Sequence, residues 1–136
     1  MTTIKSYTDL DQSRKLAKIL PLESANMWWS RCTITDFGDG ILKVSYAVEP
    51  CNISQFKNTR EDVPCWSLAA LLEVLPKKYY PVKDHKTDLI LGKPKDKWCV
   101  LYWDTTGMQH GEETLADNPV DACVEMILKL HQMDLL

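Results

Sequence analysis

Six consecutive apolar residues, Trp98-Cys99-Val100-Leu101-Tyr102-Trp103, constrain this chain more than any other segment. Successive side chains of a strand point to opposite faces, so a run without alternation suits a central place in a sheet. Residues 65–75 (Cys65-Trp66-Ser67-Leu68-Ala69-Ala70-Leu71-Leu72-Glu73-Val74-Leu75) read as a helix that is apolar on nearly every side and must be covered on most of them. The expectation is an α+β domain: an antiparallel sheet of about five strands flanked by helices on both faces, an α/β/α sandwich-like arrangement.

The remaining elements follow from local chemistry. Thr8 and Asp11 have the form of a helix start, and Leu10, Leu16, Ala17, Ile19 and Leu20 place the first helix over 9–20, before Pro21. One more turn is expected at 21–25. Trp28 to Thr35 is rich in β-formers, Gly38-Asp39-Gly40 is hairpin chemistry, and Leu42, Val44, Tyr46 and Val48 alternate with shorter or polar residues as a half-buried strand. Residues 49–61 read as a long polar loop. Asp62 is placed as the cap of the apolar helix, with Pro64 in its first turn. A basic connector over 77–86 leads to a strand at 87–91, a turn at 92–96, the apolar strand, and a polar strand at 108–115. The last helix is the most completely specified: Asn118 caps, Pro119 takes the first position, Asp121 meets the positive end of the dipole, and Lys129 and His131 suit the negative end. Its buried stripe is Val120, Cys123, Val124, Ile127, Leu128 and Leu130.

With 136 residues, 45% hydrophobic and 26% charged, the chain is read as one ordinary globular domain over 1–136 rather than a disordered or fibrous one. No apolar leader-like core occupies residues 1–10, and no run approaches the roughly 18 apolar residues of a membrane span, which points to the cytoplasm and no membrane partner. The five cysteines show no CxxC spacing, so a zinc knuckle is not expected, and Cys32, Cys99 and Cys123 read as reduced core thiols. No Gly-rich phosphate loop or His-x-x-x-His pair is present. Neither a metal nor a cofactor is expected.

Three candidate sites remain. Cys65-Trp66-Ser67 at the start of a buried helix resembles the opening of the nucleophile helix of papain-like proteases, and the smaller NlpC-type peptidases follow such a helix with a sheet carrying the histidine. That resemblance implies Cys65 as nucleophile and His110 as base, while a cysteine that simply packs is the plainer reading. No Gly-Ser precedes Cys65. His85 and His131 read as solvated, and Glu112 and Glu113 point to opposite faces of a strand. The second candidate is the segment 77–97, with seven Lys against three Asp, a net of +4 that leaves −7 for the remainder of a chain of net −3. Lys77, Lys78, Tyr79, Tyr80, Lys93 and Lys95 have the basic and aromatic texture of a phosphate-binding and base-stacking surface, although the stretch lacks Arg. The third is the neighbouring pair Trp28 and Trp29, of which one faces the core and the other either lies beneath a helix or is exposed.

Three segments, 20–27 (Leu-Pro-Leu-Glu-Ser-Ala-Asn-Met), 64–72 (Pro-Cys-Trp-Ser-Leu-Ala-Ala-Leu-Leu) and 116–127 (Ala-Asp-Asn-Pro-Val-Asp-Ala-Cys-Val-Glu-Met-Ile), together resemble a group of small uncharacterised proteins of bacteriophages and prophages. The passage from Trp98 through Leu130 is also similar to the ending of phage ABA-sandwich proteins. The resemblance implies helices on both sides of an antiparallel sheet and carries no activity or catalytic residue. The function expected is a phage-like accessory module that binds another macromolecule, a protein ahead of a nucleic acid, with a cysteine hydrolase and weak nucleic-acid binding through 77–97 as the alternatives.

Overall fold

The structure is a computed structural model that describes residues 5–35, 42–50, 62–82, 85–103 and 110–136. The fold is α+β, with three α-helices and two antiparallel sheets among the described residues. Helix α1 (Leu10–Ala17) starts at Asp9 rather than Thr8. The Asp9 carboxylate accepts from the Gln12 N–H, and the Gln12 side chain accepts from the Asp9 N–H, a reciprocal cap that satisfies two otherwise unpaired donors. The helix ends short of the expected 9–20, and a single 3₁₀ turn (Leu22–Ser24) follows Pro21.

Strands β1 (Met27–Thr35) and β2 (Leu42–Pro50) pair in one unbroken antiparallel register from Met27 opposite Pro50 to Thr35 opposite Leu42. The expected Gly38-Asp39-Gly40 turn and most of the 49–61 loop lie outside the described residues. The expectation for 63–75 needs correction. Val63–Cys65 is a strand, β3, paired with β1, and helix α2 (Leu68–Val74) begins only after Ser67. Two local facts favour this division. Ser67 accepts from the Ala70 N–H as a true cap, and Pro64, which has no N–H to give, sits in an outer strand of the order β2-β1-β3, where a ladder donor can be spared.

The second sheet runs β4 (Lys78–Val82), β5 (His85–Gly92), β6 (Trp98–Trp103) and β7 (His110–Ala116), in that spatial order. The basic connector expected at 77–86 is therefore β4 and the start of β5. The single five-strand sheet is replaced by sheets of three and four strands, because β1 takes β2 and β3 as its neighbours. Helix α3 (Pro119–Gln132) has the expected Asn118 cap, with its side chain accepting from the Asp121 N–H.

One buried cluster draws on all three helices and β6: Leu16 from α1, Trp66 and Leu71 at α2, Val100 and Tyr102 from β6, and Val120, Cys123, Val124, Met126, Ile127 and Leu130 from α3. Leu89, Leu91, Trp98 and Ala116 pack against it, so one face of the four-stranded sheet carries the core and α3 lies on that face. Thr114 Oγ1 donates to the Ala122 carbonyl at 2.8 Å, joining β7 to α3, and the Tyr102 hydroxyl donates to the Pro76 carbonyl at 2.6 Å. The other face differs from the helix-covered surface expected, as described below.

Candidate functional site

Cys65 closes β3 and is fully buried. It lacks the position that motivated a catalytic reading, because it is not in the first turn of a helix. Its surroundings are a buried group of hydroxyls. Thr8 Oγ1 lies 2.7 Å from Ser13 Oγ and 3.5 Å from Cys65 Sγ, and accepts from the Trp66 N–H at 3.1 Å. The Trp29 indole N–H donates to Ser13 Oγ and to the Thr8 carbonyl at 3.2 and 3.3 Å. Burial pushes the Cys65 thiol up from its ordinary value, and hydrogen bonds from Thr8 and Ser13 offset only part of this. A nucleophilic cysteine needs a lowered thiol and access to substrate, and this side chain has neither. His110 is the first residue of β7, in the other sheet, and its side chain lies outside the described residues. The hydroxyl cluster instead joins the segment before α1 to the strand before α2, reinforced by the Thr8 N–H donating to the Trp66 carbonyl at 2.9 Å.

The tryptophan pair is resolved by the same packing. Trp28 is buried, and Trp29 is half-buried against Tyr7, edge to face at 5.9 Å between ring centroids. Neither is a bare interface anchor.

The backbone of the basic segment is spread along the sheet. The Leu89 N–H donates to the Lys77 carbonyl, and Lys78 stands opposite Asp88 and Tyr79 opposite Thr87, so β4 leads away from the β5–β6 turn. Lys77 is three residues of strand from that turn, about 10 Å. Lys93 and Lys95 are exposed on the turn, whereas Tyr79 and Tyr80 run toward the opposite end of the sheet; the side chains of residues 78–87 lie outside the described set. The Lys93 ammonium stands 5.9 Å from the Trp98 ring centroid, and Lys97 pairs with Asp117. Lys93 and Lys95 are therefore set apart along the sheet from Tyr79 and Tyr80, whereas Lys77 and Lys78 directly precede the two tyrosines in the chain. His85 opens β5, and His131 is exposed near the end of α3. Among the described residues no group of three or more His, Cys, Asp or Glu could hold a metal ion, and no helix is long and apolar enough to cross a membrane.

The surface that stands out was not legible in the sequence. Register places Ile90 opposite Leu101, Cys99 opposite Leu115 and Leu101 opposite Glu113, all on the face away from α3. Ile90 is 40% and Leu115 56% exposed, with Leu101 half-buried between them. Cys99 is buried in this face, and its Sγ lies 3.5 Å from a Glu113 carboxylate oxygen. Burial, with the adjacent Glu113 charge, pushes its thiol up to about 11. Leu115 sits in a strand of Glu, Glu and Thr whose polarity disguised it, and Ile90 lies in an unalternating Leu-Ile-Leu run. Only the pairing register brings the two onto one side.

Comparison with known proteins finds no matching family model, no matching curated protein and no matching solved structure. The functional reading therefore rests on the chain's own geometry.

Proposed function

We propose that the chain is a small non-catalytic binding module, cytoplasmic and of bacteriophage or prophage type, whose partner is a protein met by the outer face of the four-stranded sheet. The carrying observation is the pair Ile90 and Leu115, large aliphatic side chains 40% and 56% exposed on one face, with Leu101 between them and Glu113 at their side. Isolated exposed aliphatics are ordinary, but Ile90, Leu101 and Leu115 run diagonally across three adjacent strands, a surface whose burial releases water, at about 25 cal/mol per Å² of apolar area. A carboxylate beside such a row gives orientation rather than affinity. The phage assignment is supported by the resemblance of segments 20–27, 64–72 and 116–127, and the absence of catalysis by the buried state of Cys65.

The test compares the wild-type chain with Ile90→Glu/Leu115→Glu and with the distant control Glu125→Lys as baits in a lysate of the host cell. A protein retained by the wild type and the control but lost from the double variant supports the proposal. Equal retention by all three, or retention of nothing, overturns it.

A further inference from the structure

A second surface lies where the residues after α1, the 3₁₀ turn and α2 border a groove of about 660 Å³. That volume is within the usual range for a binding cleft. Its apolar walls include Ile19, Leu20, Ala25, Ala69, Val74 and, from beyond α3, Leu136. The alanines create the concavity, since larger side chains at 25 and 69 would fill it. The neutral polar residues on the rim are already engaged within the protein. Ser24 Oγ accepts from the Trp66 indole and donates to the Pro21 carbonyl, while Asn26 exchanges hydrogen bonds with the Ser67 backbone and hydroxyl. The charged lining residues are Glu23 and Glu73, both exposed, and none of the lining residues is basic. What the groove offers a ligand is thus an apolar floor between two carboxylates.

We infer that this groove is a docking site for a short amphipathic helix whose apolar side chains enter it and whose Lys or Arg residues meet Glu23 and Glu73. The groove is lined by helix, turn and tail residues, Leu136 among them, and contains no strand among its described walls, so an inserted segment gains no sheet ladder and must satisfy its own backbone, as a helix does. The apolar lining takes aliphatic anchors, and the two acidic groups select the sign of the flanking charge. The site is separate from the sheet face, so either proposal can fail while the other stands.

The probe is a fluorescein-labelled 18-residue peptide with leucines at helical i, i+3, i+4 and i+7 spacing and lysines elsewhere, read by fluorescence anisotropy. Its counterpart has glutamate in place of every lysine. The lysine peptide is expected to bind at least about tenfold more tightly than the glutamate peptide, and Glu23→Lys/Glu73→Lys is expected to reverse that order. Ala69→Trp, at an exposed wall position, should weaken the lysine peptide by about tenfold by filling the trough. Asp11→Lys/Glu125→Lys, an equal charge change outside the groove, should alter affinity by less than about twofold. Equal binding of the two peptides overturns the inference. So does an effect of the distant reversal as large as that of the groove reversal, or an unchanged affinity in Ala69→Trp. Circular dichroism of each variant confirms that helix content is retained, and Glu23→Gln/Glu73→Gln replaces the reversal if it is not.

Discussion

Lys5 Nζ donates to the Asp121 carboxylate at 2.7 Å, across 116 positions of sequence, and so fastens the segment before α1 to the first turn of α3. Asp121 also accepts from the Gln12 and Asn118 side-chain amides, and Lys5 also pairs with Asp9 at 3.0 Å. Burial opposes charge at all three ionisable groups, yet the hydrogen bonds and opposite charges prevail: Asp9 and Asp121 are held below the ordinary carboxylate value and Lys5 above the ordinary amine value. The two carboxylates therefore stabilise the fold above their unfolded pKa of about 4, and that contribution is lost as pH falls through the lower folded values. The Lys5 contribution is complete below about 10.4 and is lost as pH rises through its raised folded value. Asp121→Asn should cost about 0.5–1 kcal/mol at neutral pH, discounted for partial exposure, and should flatten the acid limb of stability. Urea unfolding at several pH values checks this, and an acid limb parallel to that of the wild type would contradict it.

Trp66 is fully buried beside the N-cap of α2, and its indole N–H donates to Ser24 Oγ at 3.0 Å, tying the 3₁₀ turn to the core. Trp66→Ala should cost about 3–5 kcal/mol, through a large cavity and a lost hydrogen bond. Leu115→Ala, on the exposed sheet face, should change stability by no more than about 0.5 kcal/mol. Chemical denaturation of the two variants side by side measures the contrast. Similar losses for both would mean that the sheet face is covered in the folded chain.

Burial raises the thiols of Cys65, Cys99 and Cys123, the last to about 12, so all three should resist alkylation in the native state near neutral pH. Iodoacetamide labelling followed by peptide mass spectrometry should find Cys65 modified only after unfolding. Rapid native labelling at Cys65 would revive the hydrolase reading with His110.

Lys93 and Lys95 are exposed on the β5–β6 turn, while Lys97 pairs with Asp117. Any grip on a phosphate chain through this turn should involve about two contacts, giving a log–log salt slope near −1.4 for a single strand. Anisotropy titrations of a single-stranded oligonucleotide should show weak binding at low salt that disappears near physiological salt and is abolished by Lys93→Ala/Lys95→Ala. Binding that persists in that variant, or is indifferent to salt, would exclude the turn as its origin.

Several elements were legible because their signals are local. The Asn118 cap, Pro119 and the apolar stripe of α3 act within one segment, and the structure has that helix where the spacing predicts it. The strand of six apolar residues and the alternation of β2 were equally readable. The misplaced helix start near Asp62 shows the boundary of such reasoning. Asp62, Val63 and Pro64 have acceptable helix-start chemistry, but pairing with Trp28 and Trp29 of β1 gives Val63 and Pro64 more than an extra helical turn could.

The sequence by itself determined the α+β class, the last helix, the apolar strand and an uneven charge distribution. Tertiary structure decided how the strands divided into two sheets, where Cys65 came to rest, and which faces remained open. The physical reason is that periodicity and capping are set by neighbours along the chain, whereas sheet partnership is set by residues far apart in sequence. A strand has the same alternation whichever strand it joins, so the positions of Ile90, Leu101 and Leu115 on one face depend on register alone. The apolar strand was expected to be covered on both sides; its Val100 and Tyr102 are buried in the core, while on the other face Cys99 is buried, Leu101 half-buried, and their neighbours Ile90 and Leu115 exposed.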